Sequence, residues 1–272
     1  MQAFSISPVE AVASFWRNRR LIRVLVEREV IGRYRGSFLG ILWSLFNPLL
    51  MLIVYTFVFS VIFKARWSGG STSKSEFALV LFAGLMMFNV FSECVNRAPG
   101  IILSNANYVK KVIFPLEILP WVALGSALFH TLVSLAVWLV AYSVLFGVPH
   151  ATILYFPLVI LPLLLLIVGL TWILASLGVY LRDVSQLIGV STTLLMFLSP
   201  IFYPATAWPE RFRIVLFLNP LTPAIEQARD VLYWGKDPNF VFILIELISA
   251  ALIAWLGFAW FQKTRKGFAD VL

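Results

Sequence analysis

SPIFYPATAWPE, residues 199–210, closes a long apolar run with three prolines and three aromatics in twelve positions. Proline removes a backbone donor and clashes with the preceding turn, so a helix arriving here must stop. Tyr and Trp favour the polar edge of a bilayer. The stretch therefore marks a membrane helix that ends abruptly at one surface, with polar chain behind it. Composition supports this: 61% of the 272 residues are hydrophobic and only 12% are charged, with a mean hydropathy of +0.92. Soluble chains carry roughly 25% charged residues. The fold class expected is an all-α membrane protein without a sizeable soluble domain.

Six apolar spans of near bilayer length are predicted at 38–63, 77–95, 117–146, 152–180, 185–203 and 239–261. The third and fourth exceed a perpendicular crossing, and tilt or Pro120, Pro157 and Pro162 can absorb the excess. Six crossings put both ends on one side. That side carries 14 Lys and Arg against 7 opposite, so the positive-inside rule places both termini in the cytoplasm. Lys64, Arg66 and Lys74 are a minor violation of it. The net charge of +8 is scattered between apolar spans, which makes it topology charge and argues against nucleic acid as a partner. The first 37 residues hold seven arginines and no long apolar core; no cleavable secretory signal is expected, and the first span itself would direct insertion.

Residues 1–37 read as an interface helix and elbow ahead of a permease-like domain, 38–272. Ser7-Pro8-Val9-Glu10 has the pattern of a capping box with Pro at the first helical position. Leu21, Ile22, Leu25 and Val26 share one face, with Arg20, Arg23 and Glu27 opposite. Such a helix lies flat in a membrane interface. Gly32, Gly36 and Gly40 form a small-residue run that serves either close helix approach or a flexible elbow. Arg33 and Arg35 on that elbow are candidates for contact with lipid phosphate, which the arginine fork suits. Beyond the fifth span, residues 204–238 balance four acids with four bases. They read as two short amphipathic helices broken at Asn219-Pro220, lying on or dipping into the outer interface.

The chain carries no Gly-x-x-x-x-Gly-Lys-Ser/Thr loop, so it does not bind ATP by that route. Its one cysteine, Cys94, excludes an intrachain disulfide and a cysteine metal cage, and two histidines, His130 and His150, are too few for a histidine-rich metal site. Glu246 is read as the one acid well inside a crossing, hydrogen-bonded to a neighbour or facing headgroups, and His130 as a hydrogen-bonding core residue. Trp43, Phe46 and Phe57 cluster within about 60° on the first crossing at helical spacing, with Tyr55, Phe59 and Phe63 on another face.

At RYRGSFLG (33–40) and LWSLFNPLL (42–50) a family likeness becomes specific. NYVKKVIFPLEILP (107–120), LRDVSQ (181–186), LSPIFYP (198–204), NPLTP (219–223) and the final GFADVL continue it in order. The chain resembles the permease subunit of type-2 ABC exporters of lipid-linked polysaccharide. The likeness is nearest to O-antigen exporters, with teichoic-acid and capsule exporters as the alternative. The resemblance implies a multi-pass protein of the bacterial inner membrane, two copies of which enclose a channel. Two copies of a separate ABC ATPase would hold the ATP and magnesium, this chain having neither an enzymatic site nor a cofactor of its own. The cargo would be a polyprenyl-diphosphate-linked glycan. The resemblance further implies channel-lining aromatics at Trp43, Phe46, Phe197, Phe202 and Tyr203. It implies ATPase contacts from residues 8–30 and 97–116, with Asn107, Tyr108, Lys110 and Lys111 foremost, and a movable outer gate after the fifth crossing. A proton-coupled secondary transporter would need more intramembrane acids and histidines than Glu246 and His130 supply. A membrane glycosyltransferase would need a metal- or base-bearing outside loop, and the acids of 204–238 are each matched by nearby bases.

Overall fold

The computed structural model describes residues 5–62, 67, 74–109 and 114–272. Among these the regular structure is helical. Twelve α-helices follow in chain order: α1 Pro8–Arg17, α2 Arg19–Tyr34, α3 Trp43–Tyr55, α4 Lys74–Arg97, α5 Ala106–Val109, α6 Leu119–Phe146, α7 Phe156–Tyr180, α8 Val184–Leu198, α9 Arg213–Leu218, α10 Leu221–Arg229, α11 Phe240–Thr264 and α12 Phe268–Val271. Five helical stretches are long and apolar enough to cross a bilayer: Gly40–Phe59, Ser75–Gly100, Leu116–Phe146, Ala151–Tyr180 and Phe240–Val271.

The fifth crossing is shorter than its apolar run. Helix α8 ends at Leu198 rather than at 203. Its 15 residues rise about 22 Å, less than the ~30 Å hydrocarbon core. The missing depth is filled by the chain that follows. Asn219 Nδ2 donates to Ser199 Oγ at 2.8 Å, and Asn219 Oδ1 accepts from Leu221 N–H at 3.0 Å. The proline break after α8 and the Asn219-Pro220 break are thus tied together. The two expected short helices are α9 and α10. Leu221, Ile225 and Ala228 of α10 are fully buried, and the helix packs on α4 and α7, so it dips inward from the surface.

Helix α4 is the hub: it touches α3, α6, α7, α8 and α10, and 83% of its most apolar window is buried, against 6% for the α3 window. Helices α7 and α11 run against each other with backbones in contact. A Cβ added at Gly257 would sit 2.2 Å from Gly169 O, and one at Gly169 would sit 2.7 Å from Ala254 Cα. This is the close approach that small residues permit. The Gly32/36/40 run is instead the elbow. Gly36 and Gly40 have φ of +84° and +52°, and nothing lies within 4 Å of an added Cβ at any of the three.

Helices α1 and α2 break at Asn18. Ile22 and Leu25 pack on Ile118 and Val122, with Phe15, Leu21, Val26 and Trp121 around them. The capping box does not close. Ser7 Oγ accepts from Val9 N–H at 3.3 Å, but Glu10 turns away to pair with Arg17 at 2.7 Å. Two helical turns on, an arginine is a stronger partner than a backbone N–H. A buried polar hub joins three segments at the face that carries the termini. Glu117 accepts from Ser14 Oγ at 2.9 Å and from Arg265 Nη1 at 2.7 Å, and its carbonyl accepts from Trp172 Nε1 at 3.0 Å.

Candidate functional site

Among the described residues several spanning helices present exposed apolar faces, α11 among them along Val241, Leu244, Ile248, Leu252 and Trp255. On α8, Leu187, Val190, Leu194 and Phe197 form one exposed stripe at helical spacing. On α3, Trp43, Phe46, Leu50 and Ile53 are exposed, as is Phe57 just beyond it. The α3 and α8 faces are the two that carry the aromatics implied by the resemblance.

At the end of the bundle away from the termini, the two faces converge on an aromatic cluster. Phe202 stacks on Phe59 with centroids 5.7 Å apart and lies 6.1 Å from Phe197; Phe59 also stacks on Phe77 at 5.6 Å. Tyr203 OH donates to the Phe197 carbonyl, and its ring lies 6.2 Å from Trp208. Phe197, Tyr203, Ala207, Trp208, Pro209 and Phe212 line a recess of about 430 Å³. Phe197, Phe202 and Tyr203 are therefore brought together, whereas Trp43 and Phe46 stand at the other end of α3.

A buried cation holds this end in place. The Arg229 side chain is 1% exposed. Its guanidinium donates to Val80 O at 3.0 Å, Pro200 O at 2.5 Å, Ile201 O at 2.8 Å and Glu226 Oε1 at 2.9 Å. It also lies 4.4 Å over the Trp67 ring. The carbonyls of Pro200 and Ile201 are ones the broken α8 ladder leaves without helical donors. Gly84 makes room, since a Cβ there would meet Arg229 Nη2 at 2.7 Å.

Nearer the termini, a polar crevice of about 350 Å³ opens between α3, α4 and α6. Arg33 Nη2 donates to Glu93 Oε1 at 2.5 Å. His130 Nδ1 lies 3.1 Å from Arg33 Nη1 and 3.3 Å from Glu93 Oε2, and its Nε2 lies 3.0 Å from Tyr34 OH. Arg97 extends the network to Glu29 at 2.5 Å and to Glu93 at 3.7 Å. Arg33 thus meets a carboxylate and an imidazole, while Arg35 is exposed on the elbow. His130 is a hydrogen-bonding residue, as its position suggested. Glu246 accepts from Gln227 Nε2 at 3.3 Å. Glu93, Arg97, Glu117 and Arg229 were not singled out from the sequence. The Glu93/Arg97 spacing of four, which places both on one helical face, was the available signal.

The third surface is formed by α2 and the turn after α4, which enclose a groove of about 630 Å³. Arg28 Nη2 donates to Tyr108 OH at 3.0 Å, and Tyr108 stacks on Phe114 at 4.1 Å. Asn107 is exposed. Lys110 and Lys111 lie outside the described residues. Behind this surface the turn is braced, because a Cβ on Gly178 of α7 would stand 2.1 Å from Pro99 O. Among the described residues no cluster of His, Cys, Asp or Glu is arranged to hold a metal ion.

A family model described as ABC-2 type transporter matches residues 20–233. The O-antigen export system permease protein RfbA of Myxococcus xanthus is 29% identical over 264 residues, covering 96% of this chain and 99% of that protein. Its namesake from Klebsiella pneumoniae is 26% identical over 254 residues, covering 93% and 95%. The capsule polysaccharide export inner-membrane protein CtrC of Neisseria meningitidis serogroup B is 36% identical over 98 residues, 35% of each chain.

Proposed function

The chain belongs to the ABC-2 type transporter family, and on that premise we propose that it is the membrane subunit of an exporter of lipid-linked polysaccharide of the O-antigen kind. It is a multi-pass membrane protein, and the family works with an ABC ATPase partner. Two copies of the permease would face each other across the exposed sides of α3 and α8, two ATPases docking at the face that carries the termini. That face is then cytoplasmic, in the bacterial inner membrane, and ATP and magnesium act in the partner. The cargo is a glycan on a polyprenyl diphosphate. What supports the reading most is the set of exposed aromatics Trp43, Phe46 and Phe197, the last of which meets the Phe202 and Tyr203 cluster. Aromatic faces stack on the C–H-rich faces of sugars without demanding fixed directional bonds, so a strand can slide past them.

The far-end recess beside Trp208 and the dipping α10 would form the exit gate. The groove between α2 and the turn after α4 would receive the ATPase, with Asn107 and Tyr108 at its edge and Lys110 and Lys111 beyond. Arg35 remains available to lipid phosphate at the elbow. The CtrC match favours a second reading, capsule export, which changes the glycan and not the fold.

Co-expression with the ATPase encoded beside it tests the function. The two should purify as one complex whose ATPase rate responds to added lipid-linked glycan. Failure to associate with any such ATPase would refute the proposal.

A further inference from the structure

We propose that the crevice between α3, α4 and α6 is a binding site for an uncharged saccharide unit, separate from the aromatic face. The inference rests on the exporter reading for the presence of a sugar. At about 100° per residue, Ser44, Met51 and Tyr55 share one side of α3 and line the crevice. Phe46 and Ile53 are exposed on a side about 170° away. A ligand in the crevice is therefore behind the wall that carries the aromatics, with α3 between the two.

The lining is costly for a membrane protein. Asn47, Asn89, Ser92, Thr131 and Ser134 border the crevice along with the Arg33–Glu93–His130 group. Ionisable groups within spans mark substrate paths by default, because each is expensive to place there. Asn89 is exposed on a helix whose residues 76–88 are all buried. Among the described residues, the side chains of Asn47, Asn89 and Ser134 make no hydrogen bond to protein.

The charge pattern selects the ligand. Arg33 and Glu93 neutralise each other at 2.5 Å, so a phosphate would have to displace a carboxylate already in place. A sugar hydroxyl both donates and accepts. It fits amides and hydroxyls, which do the same, and an Arg–Glu pair, which offers one role on each side. Tyr34 and Tyr55 add ring surface. The volume of about 350 Å³ lies at the small end of ligand sites.

Photo-crosslinking tests the site. Benzoylphenylalanine is placed at Asn89 or at Phe46, in permease co-expressed with its ATPase in cells making the glycan. Co-purification with the ATPase shows that each variant folds. A glycan-dependent adduct at both positions is the expected result. An adduct at Phe46 alone leaves the exporter reading standing and overturns the crevice site. No adduct at either position overturns the exporter reading and this inference with it. Polyprenyl phosphate lacking sugar, added to the purified complex, should give no adduct at Asn89; an adduct there would assign the crevice to the lipid carrier and overturn the saccharide site. With the native glycan, Asn89→Leu should lower adduct yield from a second probe at Ser134 by about fivefold, the worth of one hydrogen bond. An unchanged yield would count against the site.

Discussion

Replacing Arg229 by Met should be among the most damaging single changes outside the hydrophobic core. The guanidinium is 1% exposed, whereas its carboxylate partner Glu226 is 40% exposed. Removing it strands the buried carbonyls of Pro200 and Ile201, which it reaches at 2.5 and 2.8 Å. Val80 O keeps the helical bond of α4 and loses less. Each orphaned buried carbonyl costs about 1–3 kcal/mol, and the lost contact with Trp67 adds about 1 kcal/mol. Glu226 recovers water and adds little. The loss sums to about 3–7 kcal/mol, which brackets the ~3–5 kcal/mol range for breaking a buried charged contact. At about 2–4 °C per kcal/mol for a chain of this size, the apparent melting temperature should fall by roughly 10 °C. Membrane proteins unfold irreversibly, so wild type and variant are compared at one scan rate in one detergent, followed by loss of the monodisperse peak. Glu226→Gln is the control: it removes the charge but leaves an amide oxygen to accept from the guanidinium and keeps the three carbonyl bonds, so it should lower the transition by clearly less than Arg229→Met. If Arg229→Met melts with wild type, or Glu226→Gln falls as far, the carbonyl clamp does not hold the far end together.

Gly257→Ala puts a methyl 2.2 Å from Gly169 O, and should cost about 1–3 kcal/mol by overpacking α7 on α11. Gly189→Ala, with nothing within 4 Å, should leave the melting temperature unchanged or slightly raised. Glu117→Gln weakens the contact that Glu117 makes with Arg265 at 2.7 Å, both side chains being 10% exposed. It should cost about 3 kcal/mol, read by the same melting assay. Phe197→Ala takes away one partner of Phe202 at 6.1 Å; about 1 kcal/mol of aromatic contact should lower glycan export about fivefold in a cell-surface assay, with the variant still co-purifying with its ATPase.

Much of the architecture follows from local chemistry alone. A bilayer accepts only segments that satisfy their own backbone hydrogen bonds, so the apolar runs had to be helices and the prolines at 200, 204 and 209 had to end one of them. The amphipathic face of Leu21, Ile22, Leu25 and Val26, the break at Asn219-Pro220 and the grouping of Trp43 and Phe46 at helical spacing were legible for the same reason: each depends on residues within a few turns of one another. The partners of the polar groups were not. Glu10 left its cap for Arg17; Glu93 found Arg33 and His130 from two other elements; Arg229 found carbonyls some thirty and a hundred and fifty positions away. The same glycine chemistry serves an elbow at Gly36 and a backbone contact at Gly257. Which of these applies depends on what the rest of the chain brings alongside, so only the packed helices decided it.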